Sequence, residues 1–140
     1  MTDTSAKKRL LAIIELGGYP NFADLYRQAG FEVATVTSVR KALALLKQSA
    51  PEVIVAEFNF QSDFRDRTSS LESLLAVIQR SPQTQVIVFY DREHAHQFEK
   101  LRSRFRIADA LPYPVDAARL SERLKEIAAA TQSVDRGSLR

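Results

Sequence analysis

The chain has 140 residues, enough for one domain with a sizeable core that needs neither disulfides nor metal to fold. It contains no cysteine, which excludes disulfides, thiolate catalysis and thiolate-bound metal. The net charge of +3 is mild, and Lys and Arg are spread along the chain with one denser region at Arg92–Arg106. A nucleic-acid binder concentrates such charge on one face, so composition alone declares no such role.

The opening "MTDTSAKKRLLAII" is a charged lead before an apolar run too short for a secretory signal or a membrane span. A cytoplasmic protein is expected. "RLLAIIEL" (Arg9–Leu16) predicts a strand that "GGYP" breaks. "NFADLYRQAG" predicts a helix capped by Asn21 and ended by Gly30, with Phe22, Leu25, Tyr26 and Ala29 inward. "FEVATVT" is β-branched and aromatic, hence a strand. "SVRKALALLKQSA" predicts a helix capped by Ser38, with Ala42, Leu45 and Leu46 inward.

"PEVIVAEFNF" reads as a third strand that ends on a carboxylate, Glu57. A strand covered on both faces is ordinarily apolar throughout, and burying a charge is costly unless it is paired. Glu57 is therefore a candidate functional residue. After an irregular loop, "SSLESLLAVIQRS" opens on a capping box, Ser69 to Glu72, with Leu71, Leu74, Leu75 and Ile78 inward. "TQVIVFY" predicts a fourth strand. "DREHAHQFEKLRSRF" predicts a helix with Ala95, Phe98, Leu101 and Phe105 inward. "ADALPYPV" holds a short fifth strand, and "DAARLSERLKEIAAA" a last helix capped by Asp116.

Strand and helix alternate throughout, which calls for a parallel sheet covered by helices on both faces. Ligands of such open sheets bind at the carboxyl ends of the strands. Glu15, Glu57, Tyr90 and Tyr113 fall at those ends.

In their joint order and spacing, "PEVIVAEFNF", "TQVIVFY" and "ADALPYPV" resemble the receiver domain of bacterial response regulators, over about Lys8 to Ala130. The resemblance implies a flavodoxin-like three-layer α/β sandwich with a five-stranded parallel sheet. The expected domain spans residues 8–130, with flexible ends at 1–7 and 131–140. Active receivers carry a phospho-acceptor Asp, an acid pair for Mg²⁺, a Thr or Ser, a Lys before a proline, and an aromatic switch residue. By position these fall on Glu57, on Glu15 and Leu16, on Tyr90, on Tyr113 before Pro114, and on Ala110.

Pro114 keeps the family's proline and Glu15 one acid of the pair, and the other positions depart. Glu57 reaches about 1.5 Å further than Asp, and misplacement of about 1 Å costs on the order of 10²-fold in rate. Leu16 removes a carboxylate that Mg²⁺ needs, and Tyr113 brings no ammonium to balance an acyl phosphate. Tyr90 is far larger than Thr, and Ala110 far smaller than an aromatic. Tyr90 is expected to fill the space of the switch aromatic and to lock an element that is normally bistable. The sequence resembles a degenerate receiver, a pseudo-receiver. Three readings of Glu57 stand: a working acceptor, a built-in negative charge that imitates a phosphoryl group, or a tolerated strand-end carboxylate.

Other features have two readings. Gly17–Gly18 before a helix forms a phosphate cradle or a plain turn. His94 and His96 lie two apart in a helix, a spacing that suits neither a zinc pair nor a dyad, so both are expected at the surface. Arg92, Lys100, Arg102, Arg104 and Arg106 are a solvated face or a partner surface for an acidic protein. The loop "FNFQSDFRDRTSS" is longer than the receiver spacing. Its Phe58, Phe60, Phe64 and Arg65 form an interaction loop or clamp it onto the sheet. A cis bond is expected at Tyr113–Pro114.

The expected function is a non-enzymatic signalling module that acts by phosphorylation-independent protein–protein contact. Its partner is another protein or a second copy through helix four, strand five and helix five. No cofactor, metal, nucleic acid or membrane is expected for this domain alone. The alternatives are a small-ligand sensor for a nucleotide or phosphate, and the N-terminal regulatory domain of a transcription regulator.

Overall fold

The computed structural model describes residues 8–14, 22–58 and 70–139, with only helical backbone described for residue 70 and residues 130–139. The elements run β1 (Lys8–Ile13), α1 (Ala23–Gln28), β2 (Phe31–Val36), α2 (Val39–Leu46), β3 (Val53–Glu57), α3 (Ser70–Ile78), β4 (Gln85–Asp91), α4 (Ala95–Arg102), β5 (Asp109–Tyr113) and α5 (Ala117–Leu139). The five strands form one parallel sheet in the order β2-β1-β3-β4-β5. This is the expected α/β architecture.

Side chains alternate across the strands, so each face of the sheet has its own core. Leu11, Ile54, Ala56, Val86 and Val88 meet α2, α3 and α4 on one face. Leu10, Val53, Val55, Ile87, Phe89 and Leu111 meet α1 and α5 on the other. β3 lies between β1 and β4 and all of it is buried, Glu57 included.

Local signals place most element ends. Ser38 Oγ accepts the Lys41 N–H (3.1 Å), and Asp116 Oδ1 accepts the N–H of Ala118 (3.0 Å) and of Arg119 (3.3 Å). Both are N-caps that satisfy orphan helix donors. Gly30 ends α1 with a φ of +102°, a conformation that other residues rarely adopt. The Tyr113–Pro114 bond is cis, as expected. Asn21 and Ser69, the other expected caps, lie outside the described residues.

Four expectations need correction. β1 stops at Ile13 rather than Leu16. On α2 the inward residues are Val39, Ala42, Leu43 and Leu46, and Leu45 is 39% exposed. The long fourth helix is a 3-10 turn (Arg92–His94) followed by α4, so Arg104 and Arg106 lie beyond its end. α5 continues as helical backbone to Leu139, through residues read as a polar tail.

Thr84 is a buried polar residue whose hydroxyl donates to the Pro51 carbonyl (2.9 Å). The Gln85 N–H donates to the Glu52 carbonyl (2.9 Å) beside it, so the two bonds fasten the starts of β3 and β4 together. Replacing the hydroxyl by a methyl strands the buried carbonyl at little change of shape. Thr84→Val is expected to lower the unfolding free energy in urea by about 1–3 kcal/mol. An unchanged midpoint would show that this clasp is not structural.

Candidate functional site

Glu57 closes β3 and pairs in register with Phe89 of β4. By alternation after Val53 and Val55, its side chain falls on the α1/α5 face. It is 5% exposed. Tyr26, from α1 on the same face, is equally buried. Burial pushes the Tyr26 phenol above its ordinary range, and the nearby Glu57 carboxylate pushes it further the same way. Glu57, which the resemblance sets at the acceptor position, is thus inside the core beside an aromatic ring. Sequence reading had Tyr26 only as an inward helix residue, because no local pattern shows which strand end it meets.

The opposite face carries the residues that the resemblance sets at the switch positions. Tyr90, at the end of β4, lies flat on Phe98 of α4, with ring centroids 4.7 Å apart and planes 13° apart. Phe58, just after β3, meets the same Phe98 ring at 5.4 Å. Ala110 of β5 is buried in this cluster, opposite Val88 in register, so Tyr90 is its diagonal neighbour on one face. Tyr113 ends β5 at 43% exposure, before Pro114. Phe58 was a candidate for an exposed interaction loop. At 5% exposure it belongs to the core. Glu15, Leu16, Gly17, Gly18, Phe60, Phe64 and Arg65 lie outside the described residues.

The basic residues do not act as one set. Arg104 pairs with Glu72 of α3, Arg102 with Glu99 (3.9 Å), and Arg106 donates to the Pro82 carbonyl (3.3 Å). Arg92 and Lys100 are exposed and make no ion pair among the described residues. His96 is exposed, and His94 is half-buried in the 3-10 turn.

A second charged group went unread in the sequence. Asp109 of β5 sits between Arg119 (3.5 Å) and Arg123 (3.7 Å) of α5, and Arg123 also donates to the Ala108 carbonyl (3.2 Å). These groups line a polar cleft of about 300 Å³. A more apolar cleft of about 230 Å³ lies between β1, β2 and the end of α2. Both clefts are toward the amino ends of the strands, away from Glu57. Among the described residues no group of acids and histidines is placed to hold a metal ion. No described helix is long and apolar enough to cross a membrane.

No protein-family model matches the chain, and no curated protein matches it. Solved structures do. The signal receiver domain of an HD domain-containing protein from Pseudomonas fluorescens Pf-5 superposes with a TM-score of 0.73 at 16% identity, over 94% of this chain and 93% of that one. A redox sensor of the streptococci, from a family evolved from two-component response regulators, superposes at 0.72 and 19% identity, over 93% of this chain and 55% of that one. The chemotaxis response regulator CheY4 of Vibrio cholerae superposes at 0.65 and 17% identity, over 86% and 98%. The chain therefore has the fold of the response-regulator receiver domains, the flavodoxin-like sandwich that its strand order already describes.

Proposed function

We propose that this chain is a non-enzymatic signalling module of receiver fold that engages a protein partner without accepting a phosphoryl group. The observation that carries this reading is the burial of Glu57, which at 5% exposure offers a phosphodonor no approach. Nucleophilic attack needs reacting atoms within about 3–3.5 Å and aligned. A carboxylate closed in beside Tyr26 does not meet that demand, and Tyr113 supplies no compensating ammonium.

The output side supports the same reading. A receiver couples its acceptor to the surface of α4 and β5 through a hydroxyl residue and a mobile aromatic. Here Tyr90 takes both places, resting on Phe98 beside the small Ala110. In this reading the stack holds α4 and β5 in one arrangement. The partner surface would be α4, β5 and α5, with Arg92 and Lys100 among the exposed cations that meet an acidic protein. One structural neighbour is a redox sensor evolved from response regulators, so the scaffold has served another input. Thiol redox sensing is excluded in this chain, which has no cysteine.

Incubation with acetyl phosphate and Mg²⁺, read by intact mass, tests the reading. The mass is expected to stay unchanged, and a phosphoryl adduct on Glu57 would overturn the proposal. The closeness of Tyr26 to Glu57 gives a second measurement. Folding raises the phenol pKa above its ordinary 10.0, so the folded state favours the proton. The associated stability is complete below about pH 10 and is lost as pH rises beyond it. Tyr26→Phe is expected to flatten the alkaline fall of the unfolding free energy. Equal slopes in the two proteins would contradict a buried phenol beside Glu57.

A further inference from the structure

The two edges of the sheet are built differently. β5 contains Pro112, which has no N–H to donate, and Pro114 follows at once. Asp109 at its start is held by Arg119 and Arg123. Prolines and fixed charges are what keep an exposed edge from pairing with another strand. β2, the opposite edge, has no proline, and its one charged residue, Glu32, makes no ion pair among the described residues. Its sequence FEVATV holds no Pro, Gly or Lys and is rich in β-branched residues.

The direction of the free backbone groups follows from one bond. The Val36 carbonyl accepts from the Ile14 N–H at 2.9 Å. Within a strand, the N–H and C=O of one residue point to the same side, and successive residues alternate. Glu32, Ala34 and Val36 therefore bond toward β1, and Val33 and Thr35 aim theirs off the sheet. The side chains of Glu32, Ala34 and Val36 share the α2 face, where Val36 packs.

We propose that β2 pairs antiparallel with β2 of a second copy of this chain, about a twofold axis at Ala34. Val33 of each copy then exchanges N–H···O bonds with Thr35 of the other. Ala34 meets its own counterpart in the non-hydrogen-bonded pair, where Cα atoms approach to about 4.5 Å. An exposed alanine fits that approach. Charge selects the antiparallel sense. Glu32 is exposed at the amino end of β2 and makes no ion pair among the described residues. Past the carboxyl end, on the same face, Lys41 Nζ donates to Thr37 Oγ1 (3.2 Å) and meets no carboxylate among the described residues. An antiparallel twofold sets Glu32 of each copy beside Lys41 of the other, so acid meets base twice. A parallel arrangement would set Glu32 against Glu32. The contact is isologous, as closed dimers require, and it lies far from α4. It does not depend on whether Glu57 accepts a phosphoryl group.

Sedimentation equilibrium of the full chain over a wide concentration range tests the proposal. The mass is expected to rise toward twice the 15.8 kDa of one chain. Thr35→Pro removes an outward N–H and no bond to β1, so it should keep the circular dichroism of the parent and remain monomeric. Glu32→Lys and Lys41→Glu should each weaken the dimer about tenfold, since each turns two attractive exposed pairs repulsive. The double reversal should restore it. A chain monomeric at every concentration would overturn the proposal. So would a dimer that survives Thr35→Pro, or a double reversal that fails to recover association.

Discussion

β3 has neighbours on both sides in the sheet and helices on both faces, and its last residue is a carboxylate. Everything distinctive at the carboxyl end of the sheet follows from that placement. A charged group in a low-dielectric interior costs several kcal/mol unless its surroundings compensate. In a working receiver the same position is kept open to water, Mg²⁺ and phosphodonor, so that the charge is functional. In this chain the residue is longer, closed in, and set beside a phenol that is itself buried. Glu57 is 5% exposed there, among the core side chains of the α1/α5 face.

The α4/β5 face is the complement of this arrangement. A bistable switch needs an aromatic side chain with two resting places. Tyr90, Phe98 and Phe58 form a packed aromatic group in which Phe98 is wholly buried and touches both of the others. Stacked aromatic pairs contribute about 0.5–1.5 kcal/mol beyond their buried area. Moving Tyr90 would forfeit that contact and open a void beside Ala110. Packed cores resist such gaps because lost contacts are not replaced. A fixed surface would suit the proposed module, whose message is carried by what binds it.

Most of the fold was legible because hydrophobic period and chain punctuation agree. β-branched runs between Gly, Pro and capping residues placed all five strands, and Ser38, Gly30 and Asp116 mark element ends as their chemistry demands. The misses have physical causes. "KALALLK" is apolar around most of its circumference, so adjacent stripes fit equally well and only the packing against α3 and β1 decides that Leu43 goes in and Leu45 out. α4 begins late because the Asp91 carboxylate accepts the Glu93 N–H (2.8 Å) and holds a 3-10 turn first. At the site, the resemblance singled out positions 57, 90, 110 and 113. The Tyr26 neighbour of Glu57, the Phe98 beneath Tyr90, and the partners of Arg104 and Asp109 are far apart in sequence. They exist only once the sheet brings the helices together.

The surface of α4 and β5 is proposed to be fixed independently of any phosphoryl group at Glu57. Its most direct measure is an amide-resolved NMR titration with Mg²⁺ and beryllofluoride, a phosphoryl mimic that loads acyl-phosphate acceptors. The amides of Tyr90, Phe98 and Ala110 are expected to stay where they are at saturating reagent. A saturable shift of these three together would contradict it, because it would show an acceptor still coupled to a mobile switch.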